Sequence, residues 1–529
     1  MSVLEIKELT HTFDGKVLFE KADLTVMNGE HIGVVGLNGA GKSTFINILA
    51  GRIVQDDGLV KWNSSCRWGY LDQHADIDRS KTVMEYLLCS FAHLYEMNER
   101  LEKIYEQMDG CGDDADELER LIEKSNSLLE RLTDSGFFDL DATVKKVANG
   151  LGVGAFGYDT VIGELSGGQR AKLMLSRLLL EQPDLMLLDE PTNFLDIEHI
   201  DWLASFLNSF KGTFLVISHD TDFLNRVCKS IVGIENGQIK KYGGNYSAYL
   251  VQREQNMKQY EENYLRQQRE IEKMEDYINR NRARAATAGM ANARKKQLEK
   301  MDKLKKPTVI YDAEFSFPYV ELHTRDLLDV KNLLIGYDEP LLPPFDLHIG
   351  SDDKLWIRGT NGIGKTTLVK TLTGALKPLG GSYRFHPFAK IGYIEQEPNF
   401  SDGEISAATY VSDRLPRFDG KRIRSALASS GIKNDLAVKP IKQLSGGEQV
   451  RVKLTVLTFT ETNLLILDEP TNHLDVRAKA ALLDALKRYK GALILVSHER
   501  EFAEELCSDI LDIKGEGAVS VKKRQPKTR

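Results

Sequence analysis

The sequence predicts an α/β fold built twice: two P-loop nucleotide-binding domains, a long helical hairpin linker between them, and a helical arm inserted in the first domain. Three observations carry this. A glycine-rich loop of the pattern G-x-x-x-x-G-K-[ST] occurs at 36–44 and returns about 320 residues later at 359–367. The apolar runs 185–188 and 214–217 recur as 464–467 and 493–496, each with the unbroken hydrophobicity of a parallel strand covered on both faces. Between the copies lies a polar stretch of helical character, 246–307.

A chain of 529 residues is too long for one core, and the repeat sets its limits. We expect a first domain at 1–245, a linker at 246–307, a second domain at 308–515 and a basic tail at 516–529. No run of 18 or more apolar residues exists, so no bilayer-spanning helix is expected. The first residues enter an alternating strand without a basic-then-apolar leader. Five scattered cysteines with no C-x-x-C pair read as ordinary small apolar residues of a reducing, cytoplasmic protein.

Within the first domain, Gly36, Asn38, Gly39 and Gly41 belong to a turn whose backbone N–H groups wrap phosphates. Lys42 adds a point charge, and Ser43, followed by Thr44, offers a hydroxyl to Mg²⁺. Downstream come Leu165-Ser-Gly-Gly-Gln169, Leu187-Leu-Asp-Glu-Pro191 and Ile217-Ser-His219. Asp189 and Glu190 end an apolar strand, where folds of this kind bind ligands.

About 90 residues separate Gln73 from Leu165, against about 45 between Gln396 and Leu444. The first copy therefore holds an insert, at about 83–133. Residues 83–108 and 116–132 are helical in period around a turn at 109–114, which reads as a protruding hairpin; the alternative is a thicker helical subdomain.

The linker carries a sparse stripe, Tyr249, Arg253, Met257, Tyr260, Tyr264, Ile271, Met274 and Ile278, at helical spacing. A first helix of about 34 residues would reach roughly 50 Å. Leu298, Met301 and Leu304 give a second helix a facing stripe, with the turn near 285–290. From 278 to 306 ten basic residues face two acidic ones, so this segment is +8 in a chain of net charge −8. Arg280, Arg282, Arg284, Arg294, Lys295 and Lys296 suit a phosphate backbone, and RNA is the expected ligand; the plainer alternative is a solvated coiled-coil face.

The second domain repeats the order with Gly359, Asn361, Gly362, Gly364, Lys365, Thr366 and Thr367, then Leu444-Ser-Gly-Gly-Glu448, Ile466-Leu-Asp-Glu-Pro470 and Val496-Ser-His498.

Together these motifs resemble the ABC ATPase domain, and the tandem arrangement with a charged helical linker resembles the ABC-F family of ribosome-associated ATPases. The resemblance implies two ATP and Mg²⁺ sites, each between the P-loop of one domain and the Leu-Ser-Gly-Gly segment of the other. It assigns Glu190 and Glu469 as general base or polariser of the attacking water, and His219 and His498 as the switch histidines that contact the γ-phosphate. Mg²⁺ would be held at Ser43, Gln73 and Asp189 in one site and at Thr366, Gln396 and Asp468 in the other. Phe13 and Tyr337 would stack on adenine. Ser445, Gly446 and Gly447 would close the first site, and Ser166, Gly167 and Gly168 the second. Asp196 and Asp475 match the loop that crosses between sites. Both glutamates are present, so both sites are expected to hydrolyse ATP, while Glu448 in place of a glutamine would make them unequal.

The family implies a monomer whose two domains pair within the chain. Its partner is the ribosome near the E site, with rRNA, P-site tRNA, the peptidyl-transferase region and, for the arm, the L1 stalk region. The basic segment 522–529 reads as a disordered tail with affinity for RNA. A ribosome-protecting antibiotic-resistance role stays open. The ATPase subunit of an exporter would leave the basic linker without a role, and a DNA-repair ATPase would need longer coiled coils or a zinc insert.

Overall fold

The computed structural model describes residues 1–529 except 14, 38, 73–76, 111–114, 236, 282–287, 302–313, 361, 397–399, 401, 433, 473, 514–518 and 524–529. In the first domain a six-stranded sheet runs in the order Trp68–Tyr70, Leu185–Asp189, Thr213–Ile217, His31–Gly36, Ser230–Glu235, Gln238–Gly243. All neighbours are parallel except the last pair. The second domain repeats the order with Ile391–Ile394, Leu464–Asp468, Ala492–Val496, Lys354–Gly359, Asp509–Ile513 and Val519–Lys523. An antiparallel three-stranded sheet accompanies each.

The unbroken apolar runs have the expected cause. Met186 and Leu188 enter one core cluster while Leu185 and Leu187 enter the other, so alternate side chains serve opposite faces of one sheet. Leu465 and Leu467 against Leu464 and Ile466 do the same in the second domain. Because each P-loop strand is central, its carboxyl end opens into the middle of the domain's functional edge.

Two expectations are corrected. The segment 516–529 is not wholly a tail: Val519–Lys523 pairs antiparallel with Asp509–Ile513 and completes the second sheet. Its alternation of Val519 and Val521 with polar residues is that of an edge strand, and it mirrors Gln238–Gly243 in the first domain. Residues 524–529 lie outside the described part. The stretch 83–108 is not one helix either. Val83–Leu88 belongs to the body of the domain, with Val83 and Leu87 fully buried in its core, and the 3-10 turn Cys89–Phe91 hands over to Ala92–Gly110. The arm is the pair Ala92–Gly110 and Ala115–Asp134, held by its own small cluster of Leu94, Leu101, Leu132 and Leu140.

The linker begins with one helix of 36 residues, Tyr246–Asn281, about 54 Å long at 1.5 Å per residue. The helix Ala288–Lys300 returns beside it. Of the expected stripe, Tyr249 and Ile271 are buried, whereas Met257 and Tyr260 face solvent. The first helix is thus anchored at its root and paired farther out. Leu304 and the turn near 285–287 lie outside the described residues.

The domains also interlock. Val476 of the second domain packs on the first domain's core, and Ile197 of the first packs on the second's.

Candidate functional site

Each P-loop ends at a glycine with left-handed backbone: Gly41 at φ 96° caps Lys42–Leu49 and Gly364 at φ 107° caps Lys365–Leu372. A side chain is disfavoured there by conformation, and at Gly41 a Cβ would also press on the Phe19 ring at 3.1 Å. Lys42 Nζ donates to the Gly36 carbonyl at 3.0 Å, and Lys365 Nζ donates to those of Gly359 and Thr360 at 2.8 and 3.0 Å. Both ammonium groups are buried, and burial holds both below the ordinary lysine pKa against the pull of Glu190 and Glu469 respectively.

Glu190 and Glu469 follow the last residue of their strands with φ 48° and 49°, values that non-glycine residues rarely adopt. Their N–H groups donate to Ile217 and Val496 at 3.0 and 2.9 Å. The left-handed turn directs each carboxylate to its histidine instead of back along the strand. The His219 N–H donates to Glu190 Oε2 at 3.2 Å, and His219 Nε2 lies 3.3 Å from Oε1. Burial, and then Asp189, push Glu190 up to about 7. Burial lifts Glu469 to about 7, with Lys365 opposing.

Ser166 and Ser445 are N-caps of the helices Gly167–Glu181 and Gly446–Leu457. Each serine N–H donates at 2.8 Å to the side chain of the residue three positions on, Gln169 in one copy and Glu448 in the other. This reciprocal capping box explains why Gln and Glu substitute for one another in the motif: both supply the accepting oxygen, and they differ in charge.

A cavity of about 1560 Å³ lies between the domains. Gly39, Gly41, Lys42, Ser43 and Thr44 share it with Ser445, Gly446 and Gly447 of the other domain. Gly362, Gly364, Lys365, Thr366 and Thr367 share it with Ser166 and Gly168. Glu190, Glu469, His219, His498, Gln396, Asp468 and Phe13 also line it. Gly36, Gly359, Gly167, Asp189 and Tyr337 do not, although Asp189 takes a hydrogen bond from Ser43. Tyr337 is 59% exposed. Asn38, Gln73 and Asn361 lie outside the described residues.

Asp475 acts on Lys42 from across the interface, and Asp196 acts likewise on Lys365. In the second site Thr366 Oγ1 donates to Gln396 Oε1 at 3.2 Å. Asp468 is raised to about 6, by burial first and then by Glu469. Sequence reasoning missed Lys16, Lys172 and Lys479, which also line the cavity. Superposing the two copies of the motif would have exposed Lys172, because Arg451 stands at the matching position.

On the linker, Arg280 pairs with Asp276 at 3.0 Å and Lys295 with Glu299 at 3.8 Å, all solvent-exposed and weakly held. The Arg294 guanidinium lies over the Tyr277 ring at 4.0 Å. Lys296 is exposed, and Arg282 and Arg284 lie outside the described residues. Among the described residues no helix is long and apolar enough to cross a membrane.

Paired P-loops, each closed by the other domain's capped helix, define an ABC-type ATPase: the chain binds ATP and hydrolyses it. A family model described as ABC transporter matches residues 19–193 and 342–472, and a companion model of the same description matches 232–317, across the linker. An uncharacterized ABC transporter ATP-binding protein of Bacillus subtilis (strain 168), YfmM, is 40% identical over 96% of this chain and 98% of its own. ABC transporter F family member 5 of Arabidopsis thaliana is 31% identical over 97% of this chain and 75% of its own. The chain belongs to the ABC-F family. An archaeal ribosome recycling factor, aABCE1, solved with the ribosomal stalk protein aP1, has the same fold at TM-score 0.60, with 18% identity over 97% of this chain and 89% of that one.

Proposed function

We propose that this ATPase is a cytoplasmic ribosome-binding translation factor, whose domains close on ATP and present the basic linker to tRNA and rRNA near the P site, and which leaves after hydrolysis. One observation carries the reading: the linker is rooted in the domain interface. Tyr246 and Tyr249 belong to the first domain's core, the cluster on which Val476 of the second domain packs, and Arg477 and Asp475 act electrostatically on Tyr246. Domain closure therefore bears on the base of a rigid helix about 54 Å long. Its far end, with the returning helix, carries exposed cations.

In this reading the working units are 1–245 and a second domain from about 308 through the strand Val519–Lys523. Lys42 and Lys365 hold phosphates, with Ser445–Gly447 and Ser166–Gly168 as lids. Phe13, which lines the cavity, flanks adenine in the first site, and Tyr337, at the matching position outside the lining, would do so in the second; Glu190 and Glu469, with His219 and His498, act on the attacking water. The second site fits Mg²⁺. The buried carboxylate of Asp468, which takes a hydrogen bond from Thr366, lies with Glu469, the hydroxyl of Thr366 and the amide oxygen of Gln396 in an oxygen-only donor set of the kind Mg²⁺ takes. Thr366, Gln396 and Asp468 would hold the ion there, and Ser43, Gln73 and Asp189 in the first site. The ion would neutralise charge developing on the phosphoryl oxygens.

The experiment is sedimentation of the Glu190→Gln, Glu469→Gln double variant with 70S particles and ATP. Stable co-sedimentation is expected, and an unbound double variant overturns the reading.

A further inference from the structure

Lys479 stands where the two domains meet. It lies on the first turn of Val476–Arg488, four residues after the capping residue Asp475, and is 8% exposed. Its Nζ donates to the backbone carbonyl of His219 in the other domain at 3.0 Å. It also pairs with Glu499, the residue after His498 in its own domain. Asp220, the residue after His219, faces the same ammonium: Glu499 repels its charge and Lys479 attracts it. One cation thus separates two carboxylates that would otherwise confront each other across the interface.

The arrangement has no counterpart in the other half. Asp196 and Asp475 cap their helices in the same way, so the residue equivalent to Lys479 is Ile200. Isoleucine has nothing to donate to the carbonyl of His498. The two switch loops are therefore tied unequally: the loop at 218–220 is gripped by the opposite domain through a charge-assisted hydrogen bond, and the loop at 497–499 has no such grip from residue 200.

We propose that Lys479 is a positioning residue chiefly for the first ATP site. It grips that site's switch loop from the opposite domain, whereas it reaches the second site only within its own domain, through Glu499 and its charge near Glu469. By holding the His219 carbonyl it sets the approach of His219 to Glu190, and it does so only while the domains are together, because donor and acceptor belong to different domains. The first site is in this way made conditional on closure, and the second site is not so through this contact. The proposal rests on the assignment of Glu190 with His219, and Glu469 with His498, to hydrolysis.

The test is steady-state ATP hydrolysis by the full chain in two backgrounds. Glu469→Gln leaves the first site to turn over, and Glu190→Gln leaves the second. Lys479→Met is added to each, with Lys479→Arg as the variant that keeps a donor. In the Glu469→Gln background Lys479→Met is expected to lower kcat about tenfold with KM within about twofold, and Lys479→Arg to recover most of the loss. In the Glu190→Gln background, where Lys479 acts only within its own domain, the loss should be several-fold smaller. Equal losses in the two backgrounds, as a folding or interface defect would give, overturn the proposal, and so does an unchanged rate in both. A Glu190→Gln, Glu469→Gln double variant that hydrolyses ATP like the wild type would instead overturn the catalytic assignment itself, and the proposal with it.

Discussion

His498 meets Glu469 at two points: its backbone N–H donates to Oε2 at 3.2 Å, and its Nε2 lies 3.2 Å from Oε1. The ring does not bring a positive charge to this contact. Burial, then Lys365 and Lys172, hold the histidine down to about 3 against the pull of Asp196, so it is neutral near pH 7. Glu469 is left to burial and rises to about 7, and Glu190 reaches a similar value beside His219.

A pH profile follows from this. A carboxyl group near 7 is mostly protonated below that pH and cannot take a proton from water. The ratio kcat/KM for ATP, which reports the free protein, should therefore fall below pH 7 by about tenfold per unit. In the second site the limb should not follow ionisation of His498, which burial holds neutral in this range. Initial rates between pH 5.5 and 8.5 check this, and a flat profile across 6–8 counts against either glutamate as base.

The same groups set a stability trend with the opposite sense. Their folded pKa lies above the ordinary 4.5, so the stability they contribute is complete below about 4.5, declines as pH rises and is gone above about 7. Glutamine removes the cost of a buried charge, at most on the order of 3 kcal/mol per site. Without nucleotide, the double glutamine variant should unfold at a higher temperature than the wild type at pH 8, with the difference shrinking toward pH 5. Thermal scans at the two pH values decide it.

Much of this was readable in the chain, for a physical reason. The motifs act through backbone N–H groups and strand ends, so local sequence reports both chemistry and place, and the fixed order repeated in two copies removed ambiguity. What could not be read depended on partners distant in sequence. Lys479 looks like an ordinary helix lysine until the fold sets it against His219, 260 residues away. The strand Val519–Lys523 was hidden because its charges read as a tail, while its two valines gain meaning only beside Asp509–Ile513. The arm's true start was obscured because helical periodicity continues through 89–91, where the backbone tightens into a 3-10 turn.

The capping boxes separate structure from charge at the signature helices. Glu448 caps as well as Gln169 does, with the same 2.8 Å bond, so Glu448→Gln should leave stability within about 0.5 kcal/mol. It would, however, remove a negative charge from the cavity beside Lys42 and Ser43. ATP should bind the first site more tightly, by about twofold to tenfold, while the second site keeps its affinity. Nucleotide titration in the Glu190→Gln, Glu469→Gln background, where ATP persists, resolves the two sites. An unchanged first-site affinity would mean that this carboxylate is already neutralised or solvated.

The linker gives the remaining prediction, and it separates RNA binding from a solvated helical face. Lys296 is exposed on the helix Ala288–Lys300, and Lys295 beside it pairs with Glu299 at 3.8 Å. Such a pair is worth under about 1 kcal/mol and yields readily to a phosphate. Arg294 differs, because its guanidinium is stacked on Tyr277 and keeps its charge while its position is set. If all three face phosphates, neutralising them to glutamine should weaken ribosome association and lower the slope of log affinity against log salt by about 2–3. Because the changes are at exposed sites, folding and basal ATP hydrolysis should be retained. Tyr277→Leu should weaken association without altering the slope, since it frees Arg294 but removes no charge. Association measured between 50 and 200 mM salt distinguishes these outcomes, and an unaltered slope in the triple variant would return the linker's cations to the role of a solvated surface.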